Sequence, residues 1–157
     1  VGEGLPLARP DLLPMVSAYA GWYLENVAES LAVEHVVIGD GYAGRLEHGA
    51  RLLGDGKVWV VDAKTQDRKD RKKFNHYMSW ALQLGAYAGA WARNPDREPI
   101  AGLMSVVIDS NPNNGDKPML EAYVWPQPWD YYHGLFMGAL RLWSEENDYK
   151  PNQSLIC

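Results

Sequence analysis

Apolar residues recur at helical spacing in three stretches of this chain, and short β-branched runs lie between them. Leu12, Val16, Tyr19, Trp22/Tyr23 and Val27 form a stripe that predicts a helix from about Asp11 to Glu29, opened by Pro10 and Pro14. Phe74, Tyr77, Ala81, Leu84, Ala88 and Trp91 predict a second helix, ending near Asn94-Pro95. Tyr132, Leu135/Phe136, Ala139 and Leu142/Trp143 predict a third, from Trp129 to Glu146. His35 to Ile38 reads as a short strand, Lys57 to Thr65 as a Val-rich one, and Ile100 to Ile108 and Met119 to Trp125 as two more. Ser110 to Lys117 is a polar loop. Helices interleaved with strand runs predict an α/β domain over residues 1–157, one central mixed sheet with helices flanking it.

Tyr42 to Leu53 reads two ways. Gly39-Asp40-Gly41-Tyr42-Ala43-Gly44 matches the G-x-G-x-x-G dinucleotide fingerprint, and Ala43, Leu46, Ala50 and Leu53 keep a helical period. A Rossmann unit would then run a helix from Gly44 to Leu53 and bind NAD or FAD. Against it, an initial helix precedes the first strand, Gly49 weakens the segment as a helix, and too few strands follow for a dinucleotide fold. The other reading is a strand, paired to Lys57–Thr65 through Gly54-Asp55-Gly56. Asp-Gly favours a two-residue hairpin turn. In that register Glu47 faces Lys64 and lies diagonal to Asp62, whereas a three-residue turn would put Glu47 on the other face.

This hairpin gives Asp62-Ala63-Lys64 its interest. Residues i and i+2 of a strand share a face, so a carboxylate and an ammonium stand side by side where the apolar run ends. Alone they read as a strand-end ion pair. With Glu47 added, two carboxylates and a lysine meet on one patch, an arrangement costly to assemble without a cation. Carboxylate oxygens suit a hard divalent ion.

Composition narrows the remaining possibilities. With 157 residues and 46% hydrophobic content the chain can bury a core without staples. Its single cysteine, Cys157, excludes an internal disulfide and any cysteine-cluster zinc site. No apolar run approaches membrane-spanning length and the start lacks signal-peptide character, so the expectation is a cytoplasmic protein with no membrane partner. The net charge of −5 offers no general affinity for nucleic acid. Lys64, Arg68, Lys69, Arg71, Lys72 and Lys73 against Asp67 and Asp70 nevertheless make a local +4, which could meet phosphates or be a solvated turn. The four histidines show no zinc spacing, and no G-x-S-x-G elbow or P-loop occurs. Trp125, Trp129, Tyr131 and Tyr132 could stack on bases, with core packing as the plainer use.

Taken together, three segments carry a resemblance. Tyr42-Ala43-Gly44-Arg45-Leu46-Glu47, then Val60-Val61-Asp62-Ala63-Lys64-Thr65, then Gln83-Leu84-Gly85-Ala86-Tyr87 are similar to the motifs of the PD-(D/E)XK nuclease superfamily, in its RecB-like and lambda-exonuclease-like branch. The similarity extends from about Glu34 to Glu146. It implies a restriction-endonuclease-like core and a Mg²⁺- or Mn²⁺-dependent deoxyribonuclease, an exonuclease by preference, leaving 5′-phosphates. It further implies that Asp62, Glu47 and the Ala63 carbonyl hold the metal, with Glu34 as a supporting upstream acid. Lys64 would position the attacking water. Gln83 and Tyr87 would place the scissile region, a role their i, i+4 spacing supports, with His76 and Trp80 extending the same stripe. The basic loop, with Arg68, Lys69, Lys72 and Lys73, would guide the DNA strand. Two departures stand out: Glu47 occupies a position where these enzymes usually carry Asp, and no histidine precedes Glu34. They motivate an alternative reading, a nuclease fold kept as a non-catalytic nucleic-acid- or protein-binding module.

Overall fold

The computed structural model describes residues 10–69, 73–111 and 119–151. Pro14 sits in the first turn of α1 (Leu13–Asn26), where its missing N–H costs no hydrogen bond. The Asn26 side chain closes the helix by donating to the Trp22 carbonyl at 2.8 Å, and Val27 is already extended. The chain therefore enters β1 (Val27–Ile38) without a loop. A turn over residues 39–42, with Gly41 at φ 78°, leads into β2 (Ala43–Leu52). β3 (Val58–Gln66) follows, then α2 (Met78–Ala92), β4 (Ile100–Asp109), β5 (Leu120–Val124) and α3 (Trp129–Glu146).

The five strands form a single sheet in sequence order. Its first three strands are antiparallel neighbours, β3 and β4 run parallel across the α2 crossover, and β5 returns antiparallel to β4. One face carries Leu46, Val58, Val60 and Leu103 against Ala81, Leu84 and Ala88 of α2 and Tyr132 of α3. The other carries Ala50, Leu52, Val61, Met104 and Val106 against Trp22 of α1. Both faces of β4 are covered, which is why Ile100–Asp109 reads as an almost unbroken apolar run. This is the α/β sandwich expected. Among the described residues no helix is long and apolar enough to cross a membrane.

Several expectations change. The first helix ends at Asn26, and β1 takes in Val27–Glu34, which the apolar stripe had assigned partly to that helix. Trp22 is the only buried residue of α1, while Leu12 and Val16 of the stripe are exposed. Tyr42–Leu53 resolves as strand, which removes the helix that the Rossmann reading required. Phe74, His76 and Tyr77 precede α2 instead of lying on it. The hairpin turn is four residues long, 53–56, closed by the Leu52 N–H donating to the Lys57 carbonyl at 3.0 Å. The resulting register pairs His48 with Val61 and Arg51 with Val58, two residues away from the two-residue turn's alignment. A shift of two preserves the face, so Glu47 comes level with Asp62, and Lys64 is the diagonal neighbour. Most of the Ser110–Lys117 loop, along with Arg71 and Lys72, lies outside the described residues.

Candidate functional site

Alternation along β3 fixes the site's first two members. Val58 and Val60 face α2, so Asp62 and Lys64 follow on that side at the strand's far end. Asp62 is 1% exposed. Lys64 Nζ stands 2.7 Å from its Oδ2, but the approach is poorly directed, and neither carboxylate oxygen has a hydrogen-bond partner among the described residues. An ionised carboxylate left in this state is costly, because burial strips its hydration and nothing directed replaces it.

Glu47 reaches the same place by a different route. Leu46 packs toward α2, whereas His48 stacks on Tyr23 of α1, so the alternation of β2 breaks at Glu47. Directly across in β1, between the Val33–His48 and His35–Leu46 pairs, Glu34 adopts φ 49°, a left-handed conformation that side chains disfavour. The β2–β3 pairing stops at His48–Val61. Beyond it the Ala63 N–H donates to Glu47 Oε2 at 2.9 Å, so a side chain takes the ladder bond that the main chain of β2 has given up. The Glu47 carboxyl also lies within hydrogen-bonding range of Asp62, a bond that forms only when one of the two carries a proton. Burial, and then Asp62, push Glu47 up to about 7; the Ala63 amide and Lys64 oppose this and lose.

Lys64 is held from the helix side. Its Nζ donates to Gln83 Oε1 at 3.2 Å, and Gln83 Nε2 donates to Tyr87 Oη at 2.8 Å. Both residues lie on the α2 face turned toward the sheet end, as their i, i+4 spacing predicts. The Tyr87 ring occupies the space over Gly44, where a Cβ would come within 2.5 Å of it. Asp62, Lys64, Gln83 and Tyr87 thus form one connected row.

The remaining sequence candidates fare differently. Glu34 lines a hollow shared with Glu47 and Ala63, but its carboxylate is turned out to Arg45 at 3.3 Å, both side chains being mostly exposed. Ala63 is engaged through its N–H. Arg68 is not a free surface cation. It is buried, 3.8 Å from Asp109 Oδ2, bonded to Met119 Sδ and stacked over Phe74 at 4.5 Å. It fastens the end of β3 to β4, because a guanidinium taken out of water needs a carboxylate partner. Lys69 and Lys73 are exposed, and Lys72 lies outside the described residues. Trp125 and Tyr132 are buried in the core, Trp125 donating to Ser105 Oγ at 3.0 Å, while Tyr131 is half exposed. Among the described residues no group of three or more His, Cys, Asp or Glu side chains is placed to hold a metal ion. The donor set in view is therefore the Glu47–Asp62 pair.

Sequence reasoning missed the wall opposite this pair. Tyr19 and Tyr23, one turn apart on α1, line the hollow of about 360 Å³ floored by Glu47 and Ala63. Tyr23 Oη shares a hydrogen bond with Ser30 Oγ at 2.9 Å, and Ser30 Oγ another with His48 Nε2 at 2.8 Å. Burial lowers the His48 pKa, and burial followed by the nearby carboxylates pushes Tyr19 up to about 12. The only sequence signal was the spacing of the tyrosines on the apolar stripe, which core packing explains equally well. No protein-family model and no curated protein matches the chain.

Proposed function

We propose that this protein is a Mg²⁺- or Mn²⁺-dependent nuclease of the PD-(D/E)XK type that hydrolyses DNA, acting as an exonuclease inside the cell. The observation that carries this reading is the Glu47–Asp62 pair at the splayed end of β2 and β3. Two carboxyls are pressed together, one pushed up to about 7, the other 1% exposed with no directed hydrogen bond among the described residues, and Lys64 is ion-paired beside them. An isolated ion pair would not need the second carboxylate. A divalent cation fits the donor chemistry, because it would complete the Asp62 oxygens and relieve the repulsion that Glu47 now relieves by taking up a proton.

Glu47 and Asp62 would hold the ion, which when bound supplies positive charge for the phosphodiester and lowers the pKa of a water. Lys64, fixed by Gln83, would orient the attacking water through its ammonium protons. Tyr87 braces Gln83 from the next turn of α2. In hydrolysis the water oxygen forms the new P–O bond, the bond to the 3′ oxygen breaks, and the water's proton ends on that oxygen, giving a 5′-phosphate and a 3′-hydroxyl. Glu47 in place of Asp adds one methylene, and the Ala63 N–H fixes where the longer side chain ends.

The test is incubation with single- and double-stranded DNA and Mg²⁺ or Mn²⁺. Cleavage that Asp62→Ala and Lys64→Ala each abolish is the expected result. Equal cleavage by those variants would refute the assignment. Metal-independent, salt-sensitive binding without turnover would instead favour the binding-module reading that the Glu47 departure motivates.

A further inference from the structure

The break in alternation at Glu34 and Glu47 does more than aim a carboxylate. It leaves a hollow of about 360 Å³ between α1 and the β1–β2 hairpin, within the size range of pockets that take one small ligand. Its floor is Glu47 and Ala63, so whatever enters it lies beside the carboxylate pair. Its walls are Tyr19, Tyr23, Val33 and His48. Val33 is largely exposed, and the lining is more apolar than polar.

The aromatic wall is held in place in advance. The hydroxyl of Tyr23 is committed to Ser30, which is in turn bonded to His48, and the Tyr23 ring stacks on His48 with centroids 5.7 Å apart at 20°. Tyr19 leans on Trp22, itself buried, at 5.6 Å. Rings fixed in this way lose little freedom when a flat ligand joins them.

We propose that this hollow is a pocket for an unpaired nucleobase next to the bond to be cleaved, with Tyr19 and Tyr23 as its stacking surface, so that the substrate is a single strand. The proposal rests on the nuclease reading for the position of the scissile bond. Stacking on aromatic side chains contributes about 1–3 kcal/mol per base and tolerates any sequence. A base inside a duplex would first have to leave its stack and its partner, at a cost of a few kcal/mol, whereas an unpaired base enters with least penalty. The carboxylate of Glu34, which lines the pocket, is already paired with the exposed Arg45, which leaves aromatic stacking as the main attraction the pocket offers.

The experiment uses a labelled single-stranded oligonucleotide, a blunt duplex of the same sequence, and a set of single strands carrying one abasic residue at successive positions from each end. Binding is measured by fluorescence anisotropy with EDTA present, and cleavage with Mn²⁺. At one position, loss of the base is expected to weaken binding and to lower kcat/KM about tenfold or more. The single strand is expected to be preferred over the duplex. Tyr19→Ala and Tyr23→Ala should lose that position-specific penalty, and Tyr19→Phe, which keeps the ring, should retain it. The abasic comparison on the unaltered protein needs no variant to fold. An abasic penalty that is flat along the strand, or unchanged in the alanine variants, or a duplex bound and cut as well as the single strand, would overturn the pocket while leaving the nuclease reading standing. Position-specific, Tyr19-dependent binding without any cleavage would support the pocket and refute the nuclease.

Discussion

Replacing Glu47 with Gln should stabilise the metal-free protein, and only above neutral pH. Gln keeps an oxygen for the Ala63 N–H, which now reaches Glu47 Oε2 at 2.9 Å, and adds an N–H₂ group that can donate to Asp62 whatever the pH. The wild-type carboxyl is pushed up from an ordinary 4.5 to about 7, first by burial and then by Asp62. A folded-state pKa above the unfolded one means the fold binds this proton more tightly, so the contribution is fully present below about pH 4.5 and is lost as pH rises through 7. The shift corresponds at most to about 3.4 kcal/mol at 1.36 kcal/mol per pH unit. Solvent screening of a half-buried carboxyl reduces this to roughly 1–2 kcal/mol. Urea melts in EDTA at pH 5, 6.5 and 8 should therefore show Glu47→Gln matching wild type at pH 5. At pH 8 it should exceed wild type by roughly 1–2 kcal/mol, or about 2–8 °C in Tm for a chain of this size. Saturating Mn²⁺ should reverse the order at pH 8, since an ion at 100 times its Kd stabilises by about 2.7 kcal/mol and the Gln variant has lost a charged ligand. A stability gap that does not change with pH, or a Gln variant weaker than wild type at pH 8 in EDTA, would show that the two carboxyls do not share a proton.

Other parts of the molecule give independent expectations. Gly85→Ala would bring a Cβ within 2.7 Å of the His133 amide nitrogen and the Tyr132 carbonyl carbon, and backbone cannot yield cheaply, so urea melts should show a loss of about 1–3 kcal/mol. Gly138→Ala, with no atom within 4 Å of the added Cβ, should instead gain about 0.5–1 kcal/mol from helix propensity. Arg68→Ala should destabilise by about 3–5 kcal/mol, because it leaves Asp109 buried beside a missing partner. The exposed Lys73 should behave in the opposite way: Lys73→Ala should leave the melt unchanged and reduce the salt dependence of DNA binding by about one phosphate contact, and an unchanged slope would remove this lysine from the DNA path.

How much of this was legible in the sequence depends on which force decided each element. β4 announced itself because both its faces are buried, and the bounds of α3 match its amphipathic stripe at Trp129–Glu146. β1 did not, because Val-Ala-Glu-Ser-Leu-Ala-Val-Glu is helix-forming in composition and is held extended only by pairing with β2, with two irregularities in its register. The hairpin was recognised but its turn was read two residues short. That error kept Glu47 level with Asp62, although its side chain reaches Asp62 through the break in alternation and not by strand periodicity. Arg68 looked like its basic neighbours, and little nearby marks it as buried, because its partners Asp109 and Met119 come from distant parts of the chain and only Phe74 is close in sequence.

The candidate site follows the same rule. Strand spacing pairs Asp62 with Lys64 and helix spacing pairs Gln83 with Tyr87, while the meeting of the two pairs was implied only by the family resemblance. The tyrosine wall depends on a local failure of periodicity. Glu47 could not point into the gap, and the hollow could not open toward α1, if β2 kept its alternation from Leu46 to His48. That failure is matched on β1 by the positive φ of Glu34, a conformation of order 1 kcal/mol or more above the ordinary extended one, which the sheet must hold against its own preference. Glu34 and Glu47 lie opposite each other, so a single irregularity of the β1–β2 ladder distorts both strands at this level. It is the arrangement needed if the carboxylate pair and the pocket beside it serve one substrate, because the same distortion supplies both.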